Sequence, residues 1–268
     1  GDAWQTGSGS SFELAANTTY AVGDIELRQS DMAGNLSAVT TNSVAITTDN
    51  IEPDRPEFSL AEDTGLSDSD KYSAVGTINV TLASDAASWE YYLDGFGWQP
   101  GSGSTFELPA NSSFGGGGDI QVRQTDLAGN RSPERQNSER FTTDTLAPSA
   151  PSFALASDSG SSSSDGITNN TTVDVTLAGD MVSWEYRLQS GEWQSGSGSS
   201  FELAANTSYA SGEIAVRQTD MAGNLSAISS NSSAITIDTA LPSRAVVNTT
   251  FAYSAVPAID APLPQYIS

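Results

Sequence analysis

The sequence predicts an all-β protein of tandem two-sheet sandwiches arranged as an extended rod. Three observations support this reading. One string returns three times, as IELRQSDMAGN from Ile25, IQVRQTDLAGN from Ile120 and IAVRQTDMAGN from Ile214. Arg28, Arg123 and Arg217 therefore stand 95 and 94 residues apart, a domain-sized period. Between these strings lie short runs of alternating apolar and polar residues, separated by Gly, Asn and Asp, with no helical periodicity.

Inside the string, Ile120 and Val122 alternate with polar neighbours, as in a strand with one face on a core. Leu-Ala-Gly-Asn then reads as a turn, since Gly129 and Asn130 tolerate positive φ. Asp126 marks the place where strand meets turn, as do Asp31 and Asp220.

In chain order, residues 1–49 begin at Trp4, which aligns with Trp98, so this copy carries only the C-terminal half of the repeat. It is expected to expose an apolar face that missing residues or a partner would cover. The second copy, 50–144, is complete. Strands are expected near 56–61, 77–83, 88–93, 97–99, 104–108 and 119–125, with a last one ending near Thr143, seven in all. Its turns are Asp94-Gly95, Gly101-Ser102-Gly103, the glycines at 115–118 and Ala128-Gly129-Asn130. Trp89 falls on the third strand, where immunoglobulin folds place their core tryptophan. The third copy, 145–239, repeats this order. Seven up-and-down strands would put the two ends of each domain at opposite poles. Residues 240–268 break the pattern and read as the start of a different β-rich domain or a tail.

The chain has 268 residues, 33 acidic against 10 basic, and neither His nor Cys. A net charge of −23 argues against nucleic acid, which is bound by Lys and Arg that displace counterions. Absent Cys and His remove disulfides, thiolate nucleophiles and the commonest metal ligand and general base. The metal chemistry left is oxygen chemistry, which suits calcium. No run of apolar residues is long enough to cross a membrane as a helix. No signal peptide opens the sequence, which reads as the interior of a longer protein.

The acids fall in a pattern. Each copy ends in an Asp four residues before a proline: Asp49 before Pro53, Asp144 before Pro148, Asp238 before Pro242. A second cluster, DTGLSDSD at 63–70 and DSGSSSSD at 158–165, follows the first strand. Strand parity places Asp63, Asp68, Asp70 and Asp144 at the lower pole of the second copy, and Asp180 and Asp220 at the upper pole of the third. These meet at one junction. Carboxylates crowded there repel unless a cation sits among them, and calcium takes six to eight oxygens of the kind that Asp, Asn224 and backbone carbonyls supply. Solvated acidic loops are the alternative.

These motifs, G-S-G-[ST]-[ST]-F-x-L, G-x-I-x-[VL]-R-Q-[ST]-D-x-A-G-N, D-[TS]-G-x-S-x-x-D and T-D-x-x-x-P, resemble the bacterial immunoglobulin-like repeats of giant secreted adhesins, of the repeats-in-toxin and biofilm-associated types. The resemblance covers about residues 1–240. It implies seven-stranded immunoglobulin-like β-sandwiches acting as extenders at the bacterial cell surface, with calcium at or near the junctions. Carried over by position, the implied calcium ligands are Asp126 and Asp220 in the turns, Asp49, Asp144 and Asp238 in the linkers, and Asp63, Asp70, Asp158 and Asp165 in the loops. The partners it implies are the neighbouring domains of the same chain.

Other readings stay open. The half-domain could be completed by another copy of the chain in an extracellular filament or sheath. Trp98 and Trp193, with Tyr91 and Tyr186, could form a sugar-stacking platform, although a Trp recurring at one spacing fits packing better. Paired carboxylates could cleave a glycosidic bond, but every conspicuous acid lies in a repeated motif at a pole, and no nucleophile elbow or phosphate loop is present, so an enzyme is not expected. Gly115 to Asp119 lacks the G-G-x-G-x-D order of a calcium nonapeptide and reads as a turn.

Overall fold

The computed structural model describes residues 3–245, and among them every regular element is a strand. The first copy holds β1 (Thr18–Tyr20), β2 (Glu26–Leu27), β3 (Thr40–Thr41) and β4 (Ile46–Thr48). They form two separate pairs, β1 with β4 and β2 with β3. No residue from 3 to 50 is buried, and Trp4, Phe12 and Leu27 are all exposed. The strands of a half-sandwich are present without an opposing sheet.

The second copy runs β5 (Glu57–Leu60), β6 (Tyr72–Ser73), β7 (Thr77–Thr81), β8 (Ala86–Leu93), β9 (Gly97–Pro100), β10 (Thr105–Glu107), β11 (Ser112–Phe114), β12 (Ile120–Asp126), β13 (Arg135–Gln136) and β14 (Phe141–Thr143). The third runs β15 (Ser152–Leu155), β16 (Ile167–Thr168), β17 (Thr172–Thr176), β18 (Met181–Leu188), β19 (Gln194–Ser195), β20 (Ser200–Glu202), β21 (Thr207–Tyr209), β22 (Ile214–Asp220), β23 (Ser229–Ser230) and β24 (Ile235–Ile237). Each copy therefore has ten strands where seven were expected. Two of the additional ones arise because the first and last strands are each broken in two, and the third is the short β11, which pairs with β14. β5 pairs with β7 while β6 lies parallel to β14, and β13 pairs with β12 while β14 joins β11 and β6.

The topology is also not up-and-down. β7 pairs with β10, and β8 with β12, so the chain crosses between sheets as in immunoglobulin-type sandwiches. Asn137 fixes the break in the last strand. Its side chain is buried, accepts from Ile120 N at 2.9 Å and donates to Gly115 O and Glu139 O at 2.6 and 2.9 Å. Asn231 does the same for the third copy, accepting from Ile214 N at 2.9 Å.

Two cores form, one per complete copy. Ile78, Trp89, Phe106, Phe114, Ile120 and Val122 lie in the first, and Val173, Trp184, Phe201, Tyr209, Ile214 and Ile237 in the second. The Trp89 ring packs against Gly101, and its indole N–H donates to Gly103 O at 3.0 Å, so the Gly-Ser-Gly turn serves as the lid on the tryptophan. Trp184 repeats this with Gly196 and with Gly198 O at 3.0 Å.

The recurrent string is the spine of each sandwich. Along β12, burial alternates without a gap through Ile120, Val122, Gln124 and Asp126. The outward Arg123 lies 3.6 Å from the centre of the Trp98 ring, with Glu90 Oε1 at 2.8 Å and Glu134 Oε1 at 3.1 Å. Inward, Gln124 is fully buried, accepts from Ala83 N at 3.0 Å and donates to Asp54 O. It thereby ties the linker before the domain to its core.

Candidate functional site at the junction of the second and third copies

The turn after the spine strand is built by the aspartate and asparagine at its ends. In the third copy Asp220 Oδ1 accepts from Asn224 N and Oδ2 from Asn224 Nδ2, both at 2.9 Å. Asn224 Nδ2 also donates to Asp144 O at 2.8 Å, which ties the turn to the linker that precedes its own domain. The second copy repeats this: Asp126 accepts from Asn130 N and Nδ2 at 2.9 and 2.8 Å, and Asn130 Nδ2 reaches Asp49 O at 3.1 Å. The Asn130 side chain is the main influence holding the Asp126 carboxyl below its usual 3.8, against a smaller rise from burial. The same pair in the first copy, Asn35 and Asp31, lowers Asp31 likewise.

The other predicted residues also serve local turns with one oxygen. Asp49 Oδ1 accepts from Ile51 N, Asp144 Oδ1 from Leu146 N and Asp238 Oδ1 from Ala240 N, each at 3.0 Å. Asp70 Oδ1 accepts from Tyr72 N at 2.9 Å and Asp165 Oδ1 from Ile167 N at 3.0 Å. Asp63 Oδ2 accepts from Lys71 N at 2.9 Å, with Lys71 Nζ at 3.6 Å, and Asp158 Oδ2 accepts from Gly166 N at 3.0 Å. The remaining oxygens of this last pair, Asp63 Oδ1 and Asp158 Oδ1, are buried with no hydrogen-bond partner.

The lower pole of the second copy meets the upper pole of the third. Thr64 Oγ1 donates to Ala222 O at 2.6 Å and Leu66 N to Met221 O at 3.3 Å. Tyr72 donates its hydroxyl to Asp144 Oδ2 at 3.2 Å. Burial, then Asp144, then the charges of Asp220 and Asp180, push the Tyr72 hydroxyl above its ordinary 10.0. Of the acids expected to gather here, Asp144 alone bonds the phenol, and Asn224 links Asp144 O to Asp220 Oδ2. Asp126 and Asp49 belong to the preceding turn and linker, and Asp158, Asp165 and Asp238 to the far pole of the third copy.

The donor set fits a hard cation in kind. A buried carboxylate oxygen without a donor, as at Asp63 and Asp158, is a group that calcium would satisfy. Among the described residues no three acidic side chains are close enough to share a metal. A bound cation would therefore draw on Asn and backbone oxygens beside the carboxylates.

The aromatic platform does not form. Tyr91 stacks on Phe106 inside the core with centroids 4.2 Å apart, and Tyr186 stacks on Phe201 at 4.4 Å. Trp98 pairs across strands with Tyr92, on the opposite face from Tyr91, and is capped by Arg123. Trp193 lies 4.1 Å from Arg217. Strand alternation separates each Tyr from its Trp.

Sequence reasoning missed Gln124, Gln218, Tyr72 and the buried Asn137 and Asn231. The glutamines sit in the recurrent string itself, and Asn42, Asn137 and Asn231 recur at the repeat period.

The third copy matches the bacterial Ig-like domain family, over residues 145–239. The match bears out the resemblance to bacterial immunoglobulin-like repeats drawn from the motifs. No curated protein matches the chain. Among solved structures, it is similar to the CbhA fibronectin(III)-like modules of Clostridium thermocellum, with 14% identity, 71% of this chain and 100% of that one covered, and a TM-score of 0.39. A bacterial ice-binding adhesin studied for host cell surface retention is 17% identical over 79% of this chain and 72% of its own, with a TM-score of 0.31. A biofilm-associated protein BSP domain is 15% identical over 71% and 29%, with a TM-score of 0.23. No helix among the described residues is long and apolar enough to cross a membrane.

Proposed function

We propose that this chain is an extender segment of a bacterial cell-surface adhesin, in which bacterial Ig-like sandwiches follow one another as a rod stiffened by calcium, in support of adhesion or biofilm formation. The observation that carries the reading is the contact between the two sandwiches, where Thr64 and Leu66 bond the turn at Met221 and Ala222 and Asn224 spans Asp144 O and Asp220 Oδ2. Like charges brought together at a contact oppose it, and a divalent cation reverses the sign of that contribution. The buried, unpartnered oxygen of Asp63, in the loop that makes the contact, is a second point at which a cation is called for. The role is mechanical: each module passes its orientation to the next, and an adhesive region elsewhere is held away from the cell.

Small-angle scattering of the whole chain tests this. The maximum dimension is expected to be larger and better defined in millimolar calcium than in chelator, with the sandwiches folded in both. An unchanged profile, together with no calcium binding by calorimetry, removes the calcium part of the reading.

A further inference from the structure

The contact between the copies is made by a part that carries no charge. Gly65, at φ +98°, lies so close to the next turn that a Cβ there would fall 2.1 Å from Met221 O and 2.8 Å from Ala222 C. On the other side, a Cβ on Gly223, at φ +92°, would fall 2.9 Å from both Gly65 Cα and Gly65 N. Two glycines therefore meet backbone to backbone, flanked by the hydrogen bonds from Thr64 Oγ1 and Leu66 N. The Thr64 hydroxyl is itself aimed, accepting from Ala74 N at 2.7 Å and lying 3.2 Å from Ser73 Oγ.

The repeats supply internal controls. Ala222, covered by this loop, has no exposed surface, while its counterpart Ala128 is exposed and Gly129 has nothing near its missing Cβ. On the loop side, Ser159 and Gly160 repeat Thr64 and Gly65. Gly160 has φ +109°, and its nearest neighbour is Ile167 O, at 4.0 Å from an added Cβ. Among the described residues, the loop and the turn are thus packed backbone to backbone where they meet each other.

We propose that the Asp-[Thr/Ser]-Gly loop and the Asp-x-Ala-Gly-Asn turn are a recognition pair between modules, with Gly65 and Gly223 as the residues that decide the fit. The loop at Ser159–Gly160 has the same Asp-[Thr/Ser]-Gly order and is suited to the corresponding turn of a further module of this type. A turn carrying any side chain at the place of Gly223 is refused, because the gap between the two backbones leaves no room for a Cβ. The contact itself uses neutral groups and is distinct from any cation held by the carboxylates.

The whole chain, which has no native cysteine, takes spin labels at the exposed positions Ser104→Cys and Ser190→Cys, and their distance distribution is measured in calcium and in chelator. In calcium, the unsubstituted junction is expected to give one narrow distribution and Gly65→Ala to at least double its width. Gly160→Ala, which strains the equivalent loop to the same degree without meeting a turn, leaves the width unchanged. Thr64→Val, which removes only the hydroxyl, broadens it in the same direction if Gly65→Ala fails to fold. A narrow distribution in Gly65→Ala, or equal broadening by Gly160→Ala, overturns the recognition pair. Calcium stiffening is judged separately, by whether chelator broadens the unsubstituted chain.

Discussion

Tyr72 and Asp144 meet at 3.2 Å, hydroxyl to carboxylate, across the parallel pairing of β6 with β14. This bond is particular to the second copy, since Ile167 and Asp238 stand at the same two places in the third. The phenol is held above its ordinary 10.0 by burial and by neighbouring carboxylates, so folding favours the protonated form. Its contribution is fully present below pH 10.0 and is lost as pH rises through the raised value. Alkaline titration is therefore expected to loosen this pole, because an ionised Tyr72 adds a further negative charge beside Asp144 and Asp220. Tyr72→Phe should abolish that pH dependence, read as the alkaline change in amide exchange of residues 64–73, and should cost about 1 kcal/mol at neutral pH.

Gln124→Leu is expected to destabilise the second copy more than its small change of shape suggests. The substitution removes the hydrogen bonds that the buried side chain makes to the part-buried Ala83 N–H and Asp54 C=O, at about 1 kcal/mol for each bond lost. Gln218→Leu should do the same to the third copy through Ala178 N and Ser149 O. Urea unfolding followed by amide exchange in each copy checks this. The loss should stay within the copy that carries the substitution.

Asn130→Ala is expected to raise the Asp126 carboxyl toward 3.8, because the asparagine side chain is the largest influence lowering it. A depressed carboxyl contributes stability that is present above its unfolded value and lost as pH falls through its folded one. The variant should therefore open the turn at a higher pH than the parent during acid titration. Carboxyl carbon shifts of Asp126 report both events.

The spine strand was legible in the sequence because Ile120 and Val122 alternate with polar neighbours and because the string recurs three times. The broken strands were not, since β6, β13, β16 and β23 are each two residues long and too short to show a period. What breaks the last strand is a single buried side chain, Asn137, whose partners Gly115, Ile120 and Glu139 are brought to it by the fold. Gln124 was hidden for a related reason. A polar residue at an inward position reads as a fault in the alternation until its two backbone partners are known.

Gly101→Ala puts the packing of the core tryptophan to the test. A Cβ at Gly101 would fall 2.1 Å from Trp89 Cδ2, and at Gly196 2.1 Å from Trp184 Cε2, whereas Gly7 in the first copy has nothing within 4 Å. Because the indole N–H is fixed on Gly103 O at 3.0 Å, the ring cannot retreat without giving up that hydrogen bond. Overpacking at Gly101 or Gly196 should therefore destabilise its own sandwich by about 1–3 kcal/mol, while Gly7→Ala changes nothing. Amide exchange along β8 and β18 separates the copies in one experiment. Equal effects at Gly7 and Gly101 would mean that the glycine serves the turn and not the tryptophan.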